Sequence, residues 1–393
     1  MNEYSGLSSW IAIVSQKLPH LSQPQAKVLA MWSFGMGMMQ SSGLTTVAVF
    51  LAELLGEKEN TVRQRLREWY RDAGDKKGSH RQQIDVTKCF APLLSWIVQQ
   101  WHSRECQLAL GMDATTLGNR FTVLAISVLI RGCAVPVAWK VVKANQAGAW
   151  KPYWLELFDQ LKDSVPKQMT VIVTADRGLY ADWLYAKIME LGWHPFLRIN
   201  LGGQFRPGDS TDWIPLSDTV PFVGSTWCGG VWCFKSNPIK CTLLARHEVG
   251  YADPWLILTD FPPLEASAMW YGMRSWMECC FKDTKRGGLH WHLTKMTDPK
   301  RAERHWLAIA LAILWLVSVG GEADATNTGS SYDDLPANHV ARNLPPAFQP
   351  TRLLSCFRRG FIKVIVALLL GQPLPFGHFF PEPWTTHLNF SSA

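Results

Sequence analysis

Residues Met169 to Ala175, MTVIVTA, are almost wholly apolar, and Asp176-Arg177-Gly178 follows them directly. A run that short and that apolar predicts a strand buried on both faces, as in a sheet covered by helices on either side. Such a strand fits an α/β chain. Upstream, QLALGMDATT from Gln107, FTVLAISVLI (Phe121 to Ile130) and AVPVAWKVV (Ala134 to Val142) are strand candidates rich in Val and Ile. Apolar spacing predicts helices over Trp150–Leu161 and Tyr180–Leu191, and a strand over His194–Ile199. Three strands, then helix, strand, helix, strand: the order predicts a mixed sheet.

Residues 1 to about 100 read as helical. An apolar-rich helix spans Gln25 to Met39, and another spans Thr45 to Leu55. Gly56 and the polar Glu57-Lys58-Glu59 then break the chain, and Asn60 is placed to cap a basic helix from Thr61 to Tyr70 carrying Arg63, Arg65 and Arg67. Helix, glycine-containing turn, basic helix is the pattern of a helix-turn-helix. A polar linker over 72–84 and a helix from Phe90 to Trp101 complete this part. Between 202 and 260, short strand candidates alternate with turn residues: WIPL, FVGSTWC, VWCFK, CTLLARHEV and WLILTD. Helices are expected over Pro263–Lys285 and Arg301–Val319, a Pro-rich loop over 321–350, and a last helix over Leu353–Leu370.

The chain has 393 residues, 47% of them hydrophobic and 18% charged, which excludes a disordered chain. The formal net charge of +7 is clustered. Lys58–Arg81 holds eight Lys/Arg against four Asp/Glu, and Lys282–Arg304 seven against three. Such clustering fits a polyanionic partner. The longest apolar stretch, Leu307 to Gly320, is too short for a membrane span and reads as a buried helix. The start shows no basic segment followed by an apolar run, so no signal peptide is expected. The nine cysteines have no zinc spacing, and a reducing cytoplasm is the expected compartment.

Three carboxylates stand where an α/β sheet builds sites. Asp113 lies in the first strand, Asp176 directly after the apolar strand, and Glu278 in a helix after the β-rich segment. Taken singly, each reads more readily as a turn, cap or surface residue than as a site residue. Together they offer oxygen ligands for hard divalent cations, the arrangement of two-metal phosphoryl transfer. The stretch WYGMRSWMECCFKDTKRGG places Tyr271, Arg274, Glu278 and Lys285 in the spacing Y-x2-R-x3-E-x6-K. On one continuous helix these four would share a face, a carboxylate flanked by groups that grip phosphate.

With that signature the chain resembles the bacterial DDE transposases of the Tyr-Arg-Glu-Lys type, the IS-four group of insertion sequences, over roughly residues 105 to 318. The resemblance implies a ribonuclease-H-like catalytic core with a mixed sheet, interrupted by a β-rich insertion and preceded by a helical DNA-binding domain. The divisions are then 1–104 (helix-turn-helix-like, DNA-binding), 105–200 (first part of the core), 201–260 (insertion), 261–320 (second part, with the Glu helix) and 321–393 (linker and C-terminal region, with a dimer contact as one role). It implies that Asp113, Asp176 and Glu278 hold two Mg²⁺ ions, with Mn²⁺ as a substitute. Tyr271, Arg274 and Lys285 would contact DNA phosphates. Arg63, Arg65 and Arg67 would read the terminal inverted repeats. The implied activity is cut-and-paste transposition: endonuclease cleavage at the element's ends, then attack of the freed 3′-hydroxyl on the other strand or on target DNA. The implied partners are double-stranded DNA and a second copy of the chain, with no nucleotide cofactor, no membrane and a place at the nucleoid in the cytoplasm. Trp227, Trp232 and Trp255 are the candidates for stacking on a displaced base.

Two further readings stand beside this one: a catalytically silent DNA-binding protein derived from a transposase, and a stand-alone ribonuclease-H-like nuclease. The absence of a G-x4-G-K-[ST] loop argues against an NTPase, and no G-x-S-x-G elbow supports a serine hydrolase. His290 and His292 are two apart, do not share a helix face, and have no evident third ligand.

Overall fold

A computed structural model describes residues 5–77, 81–101, 106–146, 150–249, 252–326 and 354–384. It is a mixed α/β architecture built on one ten-stranded sheet. β1 (Gln107–Leu117), β2 (Phe121–Ile130) and β3 (Cys133–Lys143) form an antiparallel meander. Every residue of β2 is buried, which is why its sequence has no polar alternation. β4 (Thr170–Ala175) and β5 (His194–Arg198) run parallel to β1, reached through α6 (Lys151–Leu161) and α7 (Asp182–Glu190).

The β-rich segment does not stand apart from this sheet. Its strands are β6 (Gln204–Pro207), β7 (Ile214–Pro215), β8 (Thr226–Cys233), β9 (Ile239–Arg246) and β10 (Trp255–Thr259). β10 pairs antiparallel with β5, so the sheet runs on in the order β3-β2-β1-β4-β5-β10-β9-β8-β6-β7. FVGSTWC and VWCFK, read as two strands, are a turn plus the single strand β8. Cys228-Gly229-Gly230-Val231 continues the ladder against β9 because a Gly pair breaks side-chain alternation without breaking backbone pairing.

The N-terminal part is helical: α1 (Ser5–Lys17), α2 (Gln23–Met39), α3 (Leu44–Leu55), α4 (Glu59–Trp69) and α5 (Thr87–Val98). Gly56, in the left-handed region at φ 63°, closes α3. α4 begins two residues earlier than expected, with Lys58 rather than Asn60 at the cap position.

The helix expected over Pro263–Lys285 is split. Ala268–Ser275 is a 3₁₀ helix, and α8 runs only from Trp276 to Thr284. α9 (Pro299–Asp324) starts under an Asp298 cap whose side chain accepts from Arg301 N, with Pro299 at the first position. α9 is long and apolar enough to cross a bilayer by length and composition, yet 89% of its apolar window is buried against the rest of the chain. α10 (Cys356–Leu369) crosses it at glycines. A Cβ on Gly320 would sit 1.8 Å from Cys356 O, and one on Gly360 1.8 Å from Leu316 O. The expected loop over 321–350 is helical to Asp324, and from 327 onward lies outside the described residues.

Candidate active site

The parallel register pairs Met112 with Ala175. Asp113 and Asp176, one residue further on each strand, therefore lie side by side at the same end of the sheet. Hydrogen bonding to the backbone steadies both carboxylates: Ala114 N donates to Asp113 Oδ1 at 2.8 Å, and Arg177 N to Asp176 Oδ1 at 2.7 Å. α8 brings the third. It packs on β1 at Gly111, where a Cβ would lie 2.9 Å from Met277 Cγ and 2.9 Å from Leu129 Cδ2. Glycine at that position lets the Glu278 turn approach the strand two residues before Asp113.

One guanidinium joins the three. Arg274 Nη2 lies 2.7 Å from Asp113 Oδ2 and 3.7 Å from Asp176 Oδ2, and its Nη1 donates to Glu278 Oε1 at 2.8 Å. Arg274 and Asp113 are similarly half-buried, at 13% and 15% side-chain exposure, whereas Glu278 is 48% exposed, so the arginine links the inner carboxylate to the outer one. Burial by itself would lower the arginine's pKa, but Asp113 foremost, with Tyr271, Asp176 and Glu278, holds it above the ordinary value. Burial pushes Asp113 up, against the opposing pull of Arg274 and the Ala114 N–H.

Tyr271 and Arg274, expected to face phosphate beside Glu278, point inward. Tyr271 is buried, and its hydroxyl donates to Asp176 Oδ1 at 3.3 Å. Tyr271 stands on the 3₁₀ turn that precedes α8 and packs into the core, whereas Arg274 keeps Glu278 as its i,i+4 partner and reaches on to Asp113. Lys285 lies just past the end of α8, with φ −100° and ψ −122°, and so leaves the face that carries Glu278. Its ammonium donates to Thr115 Oγ1 at 2.6 Å and Thr116 O at 2.8 Å, binding the end of α8 to β1. Burial lowers its pKa.

The three α4 arginines do not act together. Arg65 forms a two-point pair with Glu57, at 3.1 and 2.7 Å, and Arg67 donates to Gln64. Arg63 is exposed and lines a cavity of about 740 Å³ that also includes Lys295 and Arg301. Of the tryptophans, Trp255 is a core residue, edge-on to Tyr271 at 5.5 Å. Trp227 is half-buried against Phe205, and Trp232 is half-buried with the Arg206 guanidinium 5.9 Å from its ring.

Arg198 is a site residue that sequence reasoning missed. It ends β5, its Nη1 lies 3.8 Å from Asp176 Oδ1, and its Nη2 donates to Pro254 O at 3.0 Å. The signal was available: β5 is the next parallel strand, and its end lies at the same edge as Asp176.

Three carboxylates from separate elements offer hard oxygen donors suited to divalent cations. As they stand they neutralise Arg274, and among the described residues no group of three or more His, Cys, Asp or Glu side chains is disposed to hold a metal ion. The donor chemistry fits a divalent cation; the present arrangement holds a guanidinium.

No family model matches the chain, and no curated protein matches it. Among solved structures it is similar to the piggyBac transposase in its synaptic complex with hairpin DNA, seen by cryo-EM. The TM-score is 0.35 at 10% identity, over 94% of this chain and 83% of that one. A likeness so loose transfers neither residues nor activity.

Proposed function

We propose that this chain is a DNA transposase of the DDE type, cutting the ends of a mobile element and joining them to target DNA by metal-dependent phosphoryl transfer. The observation that carries this reading is the meeting of Asp113, Asp176 and Glu278, remote in sequence, around Arg274 at the edge of the sheet. The strand order β3-β2-β1-β4-β5, with β1, β4 and β5 parallel, supports a ribonuclease-H-like core.

Asp113, Asp176 and Glu278 would hold two Mg²⁺ ions, or Mn²⁺ in their place. Bound there, such ions activate water or a 3′-hydroxyl and stabilise the leaving oxygen. The protein's own part is positioning. Tyr271 and Arg198 would orient Asp176, both meeting it at Oδ1. Arg274, once its carboxylates have another cation, is freed to grip a phosphate oxygen. Lys285 adds a second cation past the end of α8. The helices of residues 1–104 would recognise terminal inverted repeats, with Arg63 as the α4 arginine open to solvent, and a dimer would pair the two ends. No nucleotide cofactor is required, because each transfer exchanges one phosphodiester for another.

The test is cleavage of a labelled duplex carrying the sequence that flanks the coding region, with Mg²⁺, by wild type and by Glu278→Gln. Cutting by the wild type and a loss of at least about 1,000-fold in the variant is the expected result, as for loss of a ligand to the ions that activate the nucleophile. Equal cutting by both would remove Glu278 from the site. One observation favours the second reading, a catalytically silent DNA-binding derivative: Arg274 already hydrogen-bonds Asp113 and Glu278 and lies 3.7 Å from Asp176. Tight binding of the duplex by both proteins, with cutting by neither, would establish it.

A further inference from the structure

A cavity of about 590 Å³ opens past the end of α8, lined by Arg120, Lys282, Lys285, Arg286, His292 and Thr116 among others. No acidic side chain lines it among the described residues. Lys282 and Arg286 are exposed, and the Arg120 guanidinium is tied to the carbonyls of Thr294 and Met296. His292 Nδ1 is buried without a hydrogen-bond partner. Its imidazole is held below the ordinary pKa by burial and then by His290, Arg286 and Lys285. Cations gathered this closely repel one another, and that repulsion turns into attraction when a multiply charged anion enters.

The cavity's position says which anion. Lys285 bonds to Thr115 and Thr116, two and three residues beyond Asp113 on β1. At 3.3 Å per strand residue, Thr116 lies about 10 Å from Asp113. Phosphates on one strand stand further apart along the backbone than the roughly 3.4 Å axial rise, so that is about one to two nucleotide steps.

We propose that this cavity seats the phosphodiester backbone of a DNA strand about one to two nucleotides from the reacting phosphate, so that the strand runs along α8 from Arg274 to Arg286. The proposal rests on the DNA-processing reading above and adds Lys282, Arg286 and His292 as groups that touch the backbone. A free nucleoside triphosphate shares the phosphate chemistry, so the experiment separates the two.

The full chain, without divalent metal, is titrated against a fluorescein-labelled duplex of arbitrary sequence at about 50 to 300 mM salt. Wild type is compared with Lys282→Gln/Arg286→Gln and with a control, Lys162→Gln/Lys167→Gln, at exposed positions near the end of α6. The slope of log affinity on log salt should become shallower by about 0.9 for each phosphate that the cavity variant no longer neutralises, and stay unchanged in the control. ATP should compete only as an ordinary salt. The single Arg286→Gln keeps the test open should the double variant be less stable. An unchanged slope in both cavity variants, with wild type binding DNA, overturns the strand path and leaves the DNA reading intact. ATP bound by wild type and not by Arg286→Gln makes the cavity a nucleotide site and also overturns it. No duplex binding by wild type would bring down both.

Discussion

Arg274 decides what state the candidate site is in. Its guanidinium balances three carboxylates that would otherwise repel one another, so Arg274→Ala should cost about 3 kcal/mol in metal-free buffer, as expected for breaking a buried ion pair. Mn²⁺ should restore much of that loss, and the variant's affinity for Mn²⁺ should exceed the wild type's by about tenfold, or 1.4 kcal/mol. Thermal melts with and without Mn²⁺ check the first point and calorimetric titration the second. An unchanged Mn²⁺ affinity would mean that the arginine does not compete for the carboxylates. Asp283, on the buried side of α8, tests a different property. Burial pushes its carboxyl up to about 7, against the weaker pull of Arg358 and Lys282. The folded state therefore holds this proton more tightly than the unfolded chain, and stability falls as pH rises from about 4 to about 7. Asp283→Asn should leave the melting temperature near pH 4 unchanged and raise it at pH 8, by a free energy of at most about 4 kcal/mol. Melts across that range would reveal it, and equal melting temperatures at pH 8 would contradict it.

Among the elements, α8 and α9 are placed by glycines. Gly111 lets α8 lie on β1, and Gly320 with Gly360 lets α9 and α10 cross almost backbone to backbone. Gly360→Ala puts a methyl 1.8 Å from Leu316 O, a backbone atom that cannot turn aside. The loss should be about 3 kcal/mol or more, by analogy with overpacked cores. Denaturant melts should show it, with Gly74→Ala, where nothing lies within 4 Å of the new methyl, near wild type. The same elements show the limit of periodicity as a guide. Pro263–Lys285 has helical spacing throughout, yet 263–266 are turn and bend, Ala268–Ser275 winds as 3₁₀ and only Trp276–Thr284 is α. Spacing counts residues; it does not register that Tyr271 packs into the core or that Arg274 reaches past Glu278 to Asp113.

At the scale of the whole molecule, the sheet runs without a break from β3 to β7, and β10, buried along its length, is the joint between β5 and β9. Residues 201–260 therefore extend the sheet that carries the carboxylates. The amides of β10 should exchange with solvent as slowly as those of β4, both requiring global opening. Hydrogen exchange read by mass spectrometry tests this, and fast exchange across Trp255–Thr259 beside a protected β4 would show that the β-rich part opens by itself.

The sequence by itself determined the strands of the central sheet, because burial on both faces demands unbroken apolar runs, and β2 falls on Phe121–Ile130 as its residues require. It also located the three carboxylates and the spacing from Tyr271 to Lys285, since strand ends and fixed offsets are legible in one dimension. Only the tertiary structure decided how those groups face. The pairing of Met112 with Ala175 puts Asp113 beside Asp176, the approach at Gly111 brings Glu278, and Arg198 arrives from a strand whose order in the sheet no local pattern encodes. The division of labour is physical. Local sequence sets backbone preference and burial, whereas a guanidinium shared by three carboxylates depends on distances between segments that meet only when the sheet is assembled.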